Sequence, residues 1–286
     1  MPTGVPHPVP YQGSKRRLAP RILALLPPGV GVLHEPFAGS AALSLAALHA
    51  GAVRAVALND VNAPLMSLWH AVRTDPRPLA DGYAALWRDQ QPDPVAFYGS
   101  VRTAFNVDPQ PHRLLFLLAR CVKAAVRYNA RGEFNQSPDR RRHGTHPDRM
   151  RAHLLGAHEL LARRSTITAT DYRAALAGVR DGDVVYLDPP YQGVSTGRDG
   201  RYLTGLAPGE LAGTLHDMVR RGVMLVLSYD GRCGDRSYGA ALPASLGLTR
   251  LELDAGRSAS ATLHGRAART VESLYLSPAL VDRLSR

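Results

Sequence analysis

Gly31-Val32-Leu33-His34-Glu35 runs straight into Pro36-Phe37-Ala38-Gly39-Ser40-Ala41, and Val53-Arg54-Ala55-Val56-Ala57-Leu58 ends in Asn59-Asp60. The first five residues read as a short buried strand, residues 40–49 as a helix, and residues 53–58 as a second strand. Strand, glycine turn, helix, strand and terminal acid are the first half of a dinucleotide-type parallel sheet. Small residues after the first strand let a ligand approach the backbone, and the helix N-terminus adds N–H donors and a positive dipole end. An acid about 20 residues further on can accept from ribose hydroxyls. The loop has no lysine followed by Ser or Thr, which argues against a phosphate-cradling loop.

Outward from this core the pattern continues, breaks and returns. Residues 63–72 resume helical spacing. From about 62 to 164 helical periodicity dominates, at 78–90, 94–105 and 112–128. Residues 131–151 are polar and rich in Gly, Pro and Arg, and read as a loop or hairpin. Strands are then predicted at 166–170, 184–187 and 223–227, a helix at 210–221, and a closing antiparallel pair at 248–254 and 271–276. The simplest architecture is an α/β sheet from residues 1–61 and 165–286, interrupted by a mainly helical insert at 62–164.

The 286 residues are 45% hydrophobic and 21% charged, a globular balance that argues against disorder. No run nears the roughly 18 apolar residues of a membrane helix. Residues 1–17 are proline-rich and lack the apolar stretch of a secretory signal. Cys121 and Cys233 are the only cysteines, which excludes a disulfide framework and a four-thiolate zinc site and points to a reducing, cytoplasmic setting. His112, His143, His146 and His153 match no zinc-ligand spacing. A net charge of +11 and a pI near 10.2 favour a polyanionic partner. All but two of the 35 basic residues are arginine, so part of that charge is compositional bias. Lys15 stands out against it as a position needing a compact ammonium.

The strongest chemical signal is Asp188-Pro189-Pro190-Tyr191, directly after Val184-Val185-Tyr186-Leu187. Paired prolines stop the strand and stiffen the chain. They can hold a carboxylate, a carbonyl and an aromatic face at the carboxyl end of the sheet, where open α/β sheets bind ligands. Two further segments carry unusual residues: Tyr11-Gln12-Gly13-Ser14-Lys15, and Arg127-Tyr128-Asn129-Ala130-Arg131-Gly132-Glu133-Phe134-Asn135.

In this order, these segments resemble the Dam-type DNA adenine-N6 methyltransferases that depend on S-adenosylmethionine. The resemblance continues in Leu225–Ser228, Gly256-Arg257-Ser258 and Val271-Glu272-Ser273-Leu274 and covers most of the chain, weakening between about 73 and 112. It implies a Rossmann-like class I methyltransferase sheet, with residues 62–164 as the inserted target-recognition domain. It implies cofactor contacts at Tyr11, Lys15, Glu35, Phe37, Gly39, Ser40, Asp60 and Asp188, and a catalytic segment of Asp188, Pro189, Pro190 and Tyr191. DNA contacts are expected at Arg127, Asn129, Asn135, Arg140, Arg141, Arg142 and Arg257. The implied partner is double-stranded DNA, with no membrane and no metal, and a cognate restriction endonuclease is an open partner. Two departures stand out. Ala41 occupies the usual place of a second glycine, a change expected to tighten the cofactor pocket. Gln136-Ser137-Pro138-Asp139-Arg140-Arg141-Arg142 replaces the usual apolar-proline-aromatic continuation, so the resemblance does not supply a recognition sequence.

The chemistry follows from the residue types. Adenine N6 is a poor nucleophile because its lone pair is delocalised into the ring. Hydrogen bonds to the Asp188 carboxylate and the Pro189 carbonyl favour a pyramidal nitrogen and stabilise its developing positive charge. The base must leave the duplex to reach them, with Tyr191 stacking on its face. Alternatives are methylation of cytosine N4 or of RNA adenine, and a non-catalytic DNA-binding protein of the same fold. A nucleotide-binding oxidoreductase needs a fuller glycine fingerprint and leaves the paired prolines unexplained.

Overall fold

Val184, Val185, Tyr186 and Leu187 are all buried because their strand, β4 (Val184–Leu187), is covered on both faces. Val184 and Tyr186 join one hydrophobic cluster; Val185 and Leu187 join the other. An unbroken apolar run is what two-sided burial requires of a parallel strand. The computed structural model describes residues 4–190, 208–233, 236–238, 241–257 and 269–286.

The other strands are β1 (Val30–Glu35), β2 (Val53–Asn59), β3 (Ser165–Thr168), β5 (Met224–Cys233), β6 (Arg236–Tyr238), β7 (Thr249–Arg257) and β8 (Arg269–Leu276). Their order is β3-β2-β1-β4-β5-β8-β7, with β6 paired to β5. The first five run parallel, and β8 lies antiparallel to both β5 and β7. This is the Rossmann-like α/β sheet expected from the sequence, including the closing antiparallel pair.

Helices α1 (Ala19–Leu23), α2 (Ala42–His49), α3 (Ala63–Thr74), α4 (Pro76–Asp89), α5 (Pro94–Val107), α6 (Pro111–Arg120) and α7 (Pro147–Leu161) contribute to the first cluster. Helices α8 (Tyr172–Leu176) and α9 (Pro208–Arg220) contribute to the second, and α10 (Pro278–Leu284) ends the chain. In α2 every residue from Ala42 to Leu48 is buried. Such a helix has no polar face, since α1 and α7 cover the side that β2 does not. Prolines at the first turn mark α3 to α7 and α10, and Asn62, Asp75, Asp93, His146 and Ser277 accept from early backbone N–H groups. No described helix is long and apolar enough to cross a membrane.

Three expectations are corrected. The helix predicted at 112–128 ends at Arg120, because the backbone beyond it pairs sideways: Val122 N–H donates to Ser137 O at 3.0 Å and Asp139 N–H to Arg120 O at 2.8 Å. Tertiary pairing here overrides a helical composition. The polar stretch 131–151 is loop only as far as His146, after which Pro147 opens α7 and places Arg149 and Arg151 on a helix. Strand β5 runs past Leu227 to Cys233, with a bulge between Ser228 and Gly231.

Ala41 sets the start of α2. Its φ of 48° and ψ of 34° are left-handed, a conformation that costs an L-residue about 1–2 kcal/mol. Its methyl is fully buried and is not among the groups lining the cavity described below. The alanine therefore bears on backbone strain and does not narrow a ligand pocket. Ala41→Gly is expected to change stability by no more than about 1 kcal/mol, as relief of strain offsets lost chain stiffness. Ala41→Val, β-branched at a left-handed position, is expected to cost about 2 kcal/mol or more. Denaturant midpoints of the two variants check this, and equal stability would refute it.

Candidate active site

Strand order reverses between β1 and β4: β1 continues to β2 on one side, β4 to β5 on the other. Chain connections diverge at such a point and leave a crevice at the carboxyl ends of the strands. Glu35 ends β1 there and Asp188 follows β4. Between them opens a cavity of about 490 Å³, within the usual range for small-ligand sites. Tyr11, Lys15, Glu35, Phe37, Gly39, Ser40, Asp60, Asp188, Pro189 and Pro190 all line it, so every cofactor and catalytic residue expected from the sequence converges except Tyr191. Tyr191 and Ser258 lie outside the described residues, as does the side chain of Arg257.

The loop after β1 is pinned from several sides. Asn59 Nδ2 donates to Pro36 O at 3.1 Å and to Thr170 O at 3.0 Å, while Asn59 Oδ1 accepts from the Thr170 N–H and the Thr168 hydroxyl. Ala38 N–H donates to Asn59 O at 2.8 Å. The indole Nε1 of Trp69, on α3, donates to Gly39 O at 2.9 Å. Gly39 has a φ of 47°, and a Cβ there would come within 3.1 Å of the Tyr11 ring. Only glycine lets the tyrosine close over the loop.

Asp60 accepts from the backbone N–H of Gly39 at 3.2 Å and of Asn62 at 3.0 Å. Burial raises its carboxyl above the usual range against those two bonds. Glu35 is fully enclosed, and burial, with a smaller push from Asp188, raises its pKa from 4.5 to about 7, while the Ser44 N–H at 3.0 Å opposes the shift. Lys15 Nζ lies 3.0 Å from Asp188 Oδ1 and 3.3 Å from Glu272 Oε2. The rings of Phe37 and Tyr172 sit 5.2 Å apart, tilted by 30°, on the opposite wall.

The sequence that builds this site is matched by known proteins. Residues 11–230 match the model of the D12 class N6 adenine-specific DNA methyltransferase family. The chain belongs to that family. A DNA adenine methylase of Serratia marcescens is 31% identical over 189 residues, covering 65% of this chain and 66% of that protein. A DNA N-6-adenine-methyltransferase of Escherichia phage P1 is 29% identical over 231 residues, covering 77% of this chain and 29% of the phage protein. The DNA adenine methylase of Escherichia coli K12 is 28% identical over 192 residues, covering 65% and 64%. The matched stretch thus spans two thirds of these relatives' lengths or less.

Within this D12-class chain, Arg127, Asn129, Asn135, Arg140, Arg141 and Arg142, all expected to touch DNA, do not line the cavity; the first three belong to a hairpin at its rim. Val126 and Tyr128 line the cavity, and Tyr128 Oη donates to Asn62 Oδ1 at 3.2 Å. Asn135 N–H donates to Arg127 O and Asn129 N–H to Glu133 O, closing the hairpin. Asn129 is occupied within the turn, since its side chain bonds Glu133 and the N–H groups of Arg131 and Glu133. Arg142 pairs with Asp139 at 3.3 Å, while Asn135, Arg140 and Arg141 are exposed. Sequence reasoning passed over Asn62 and Tyr172, whose signal lies in the helix-start patterns Asn62-Ala63-Pro64 and Asp171-Tyr172. It gave Glu272 no role, although the segment containing it is part of the family resemblance.

Glu35 makes stability depend on pH. The unfolded carboxyl ionises near 4.5 and the folded one near 7, so stability falls as pH rises from about 4.5 to 7 and levels off above, by ~3 kcal/mol. Glu35→Gln should remove that slope. Denaturation at pH 5 and pH 8 measures it, and an unchanged pH dependence in the variant would contradict the assignment.

Proposed function

We propose that this chain transfers a methyl group from S-adenosylmethionine to the N6 amino group of an adenine turned out of duplex DNA. The observation that carries the reading is the Asp188 carboxylate at the end of β4, facing a nucleoside-sized cavity with Pro189 beside it. The donor set fits the cofactor: Phe37 and Tyr172 offer an aromatic wall for a ring, and Glu35, Asp60 and Asp188 offer carboxylates for polar and cationic groups. When bound, S-adenosylmethionine supplies a methyl group activated on a positively charged sulfur.

Tyr11 and the loop 35–40 hold the nucleoside end, and Lys15 orients Asp188 through their ion pair. Asp188 and the Pro189 carbonyl accept from the target amino group, directing its lone pair toward the methyl carbon. The positive charge that transfer would develop on N6 would fall beside the Asp188 carboxylate, which would stabilise it. Most of the acceleration is the in-line positioning of two bound reactants. Tyr191, by its place after the two prolines, stacks on the displaced base. Residues 62–164 serve as the target-recognition unit. In it Arg140 and Arg141 hold phosphates, and the hairpin 127–135, rooted at the cavity rim, leads the displaced base inward. A DNA substrate fits a cytoplasmic setting.

Labelled-methyl transfer to duplex DNA, with nucleoside mass spectrometry of the product, tests the reading. Wild-type protein is expected to yield N6-methyladenine, and Asp188→Ala is expected to lose at least about 10³-fold in rate while still binding S-adenosylmethionine. Wild-type turnover in the variant, or label on cytosine or RNA only, would overturn it. Replacing both Arg140 and Arg141 with alanine should weaken DNA binding alike on all sequences. It should also reduce the slope of log affinity against log salt by about 1–2. Anisotropy titrations at several salt concentrations read this directly, and an unaltered slope would remove the phosphate role.

A further inference from the structure

Lys15 is 7% exposed and holds two carboxylates at once, Asp188 at 3.0 Å and Glu272 at 3.3 Å. The three come from distant parts of the chain: the turn Lys15–Arg17, the end of β4, and β8. Glu272 is fixed from below by Ser228 on β5, whose hydroxyl donates to Glu272 Oε2 at 3.2 Å. The β5 bulge lies beside this contact and brings Gly231 opposite Glu272. A Cβ on Gly231 would meet Val271 O at 2.6 Å, so the close strand approach that seats Glu272 needs a glycine. Glu272 does not line the cavity; it acts on the site through Lys15.

A lysine paired with Asp188 alone would neutralise the carboxylate that has to accept from the target amine. Glu35, an acid close enough to feel Asp188, is largely protonated below about pH 7 because burial raises its pKa. With Glu272 present, one ammonium is shared between two carboxylates, and the cluster keeps a net negative charge. We propose that Glu272 is a positioning residue that shares Lys15 with Asp188. This keeps Asp188 an anionic acceptor and makes the pocket favour a cationic sulfonium donor over its neutral, demethylated product. The second half of this inference rests on the methyl-transfer reading above; the first half stands on the ion pairs alone.

The two halves are tested separately with Glu272→Gln, which keeps the shape, and Glu272→Asp, which keeps the charge. Lys15 and Lys123 are the only lysines, so lysine labelled with carbon-13 at Cε gives two resonances, with exposed Lys123 as internal reference. The Lys15 titration midpoint is expected to fall by about one unit or more in Glu272→Gln and to recover largely in Glu272→Asp. An unmoved midpoint would overturn the proposal whatever the enzyme does.

Calorimetric titration with S-adenosylmethionine and S-adenosylhomocysteine supplies the second readout. The ratio of the two affinities should fall at least about threefold in Glu272→Gln. Equal weakening of both ligands would mean that Glu272 only supports the fold and would refute the charge role. If wild-type protein binds neither compound, the methyl-transfer reading fails, and the lysine titration still decides the pairing.

Discussion

The reversal of strand order between β1 and β4 is the constraint on which the rest of this molecule turns. Because the two strands pair side by side while their connections diverge, a crevice is left at their carboxyl ends. Glu35 and Asp188, 153 positions apart, become neighbours across that gap. The Lys15 ion pairs, the closure of Tyr11 over Gly39 and the stacking wall of Phe37 and Tyr172 are all built around the opening that this pairing leaves. A shift in β4 register would move Asp188 and its prolines relative to every other group.

Much of this is legible in the sequence where a local signal and a tertiary role coincide. The turn after Glu35 needs small residues for its own backbone and again for a ligand, so one pattern reports both. The apolar run Val184–Leu187 reports two-sided burial, and the prolines after Asp188 report where the strand must stop. What is not legible depends on pairings distant in sequence. Residues 121–128 have helical composition, yet the backbone of Cys121 is paired with Pro138 and that of Tyr128 with Phe134. Glu272 looks like any acid in an alternating strand until β8 is inserted between β5 and β7. Ala41 shows its strain only as a backbone angle, which no residue pattern announces.

The helical stretch between β2 and β3 is joined to the catalytic sheet more intimately than a tethered module. Trp69 reaches from α3 to hydrogen-bond Gly39 in the loop after β1, and Asn62 caps that same helix while bonding Tyr128 at the base of the hairpin. One hydrophobic cluster runs from β4 through α2 and α3 to Phe105, Phe116 and Phe134. The hairpin and the loop after β1 are thus linked through Asn62, α3 and Trp69.

Asn59 gives this arrangement a thermodynamic reach. Its one side chain bonds Pro36, next to Phe37, and Thr170, two residues before Tyr172. Movement of either segment strains bonds held by the same side chain. Order imposed on one by a bound molecule would bear on the other, and linkage would make that effect reciprocal. Asn59, which does not line the cavity, thus ties the two ring-bearing segments of the aromatic wall together from behind.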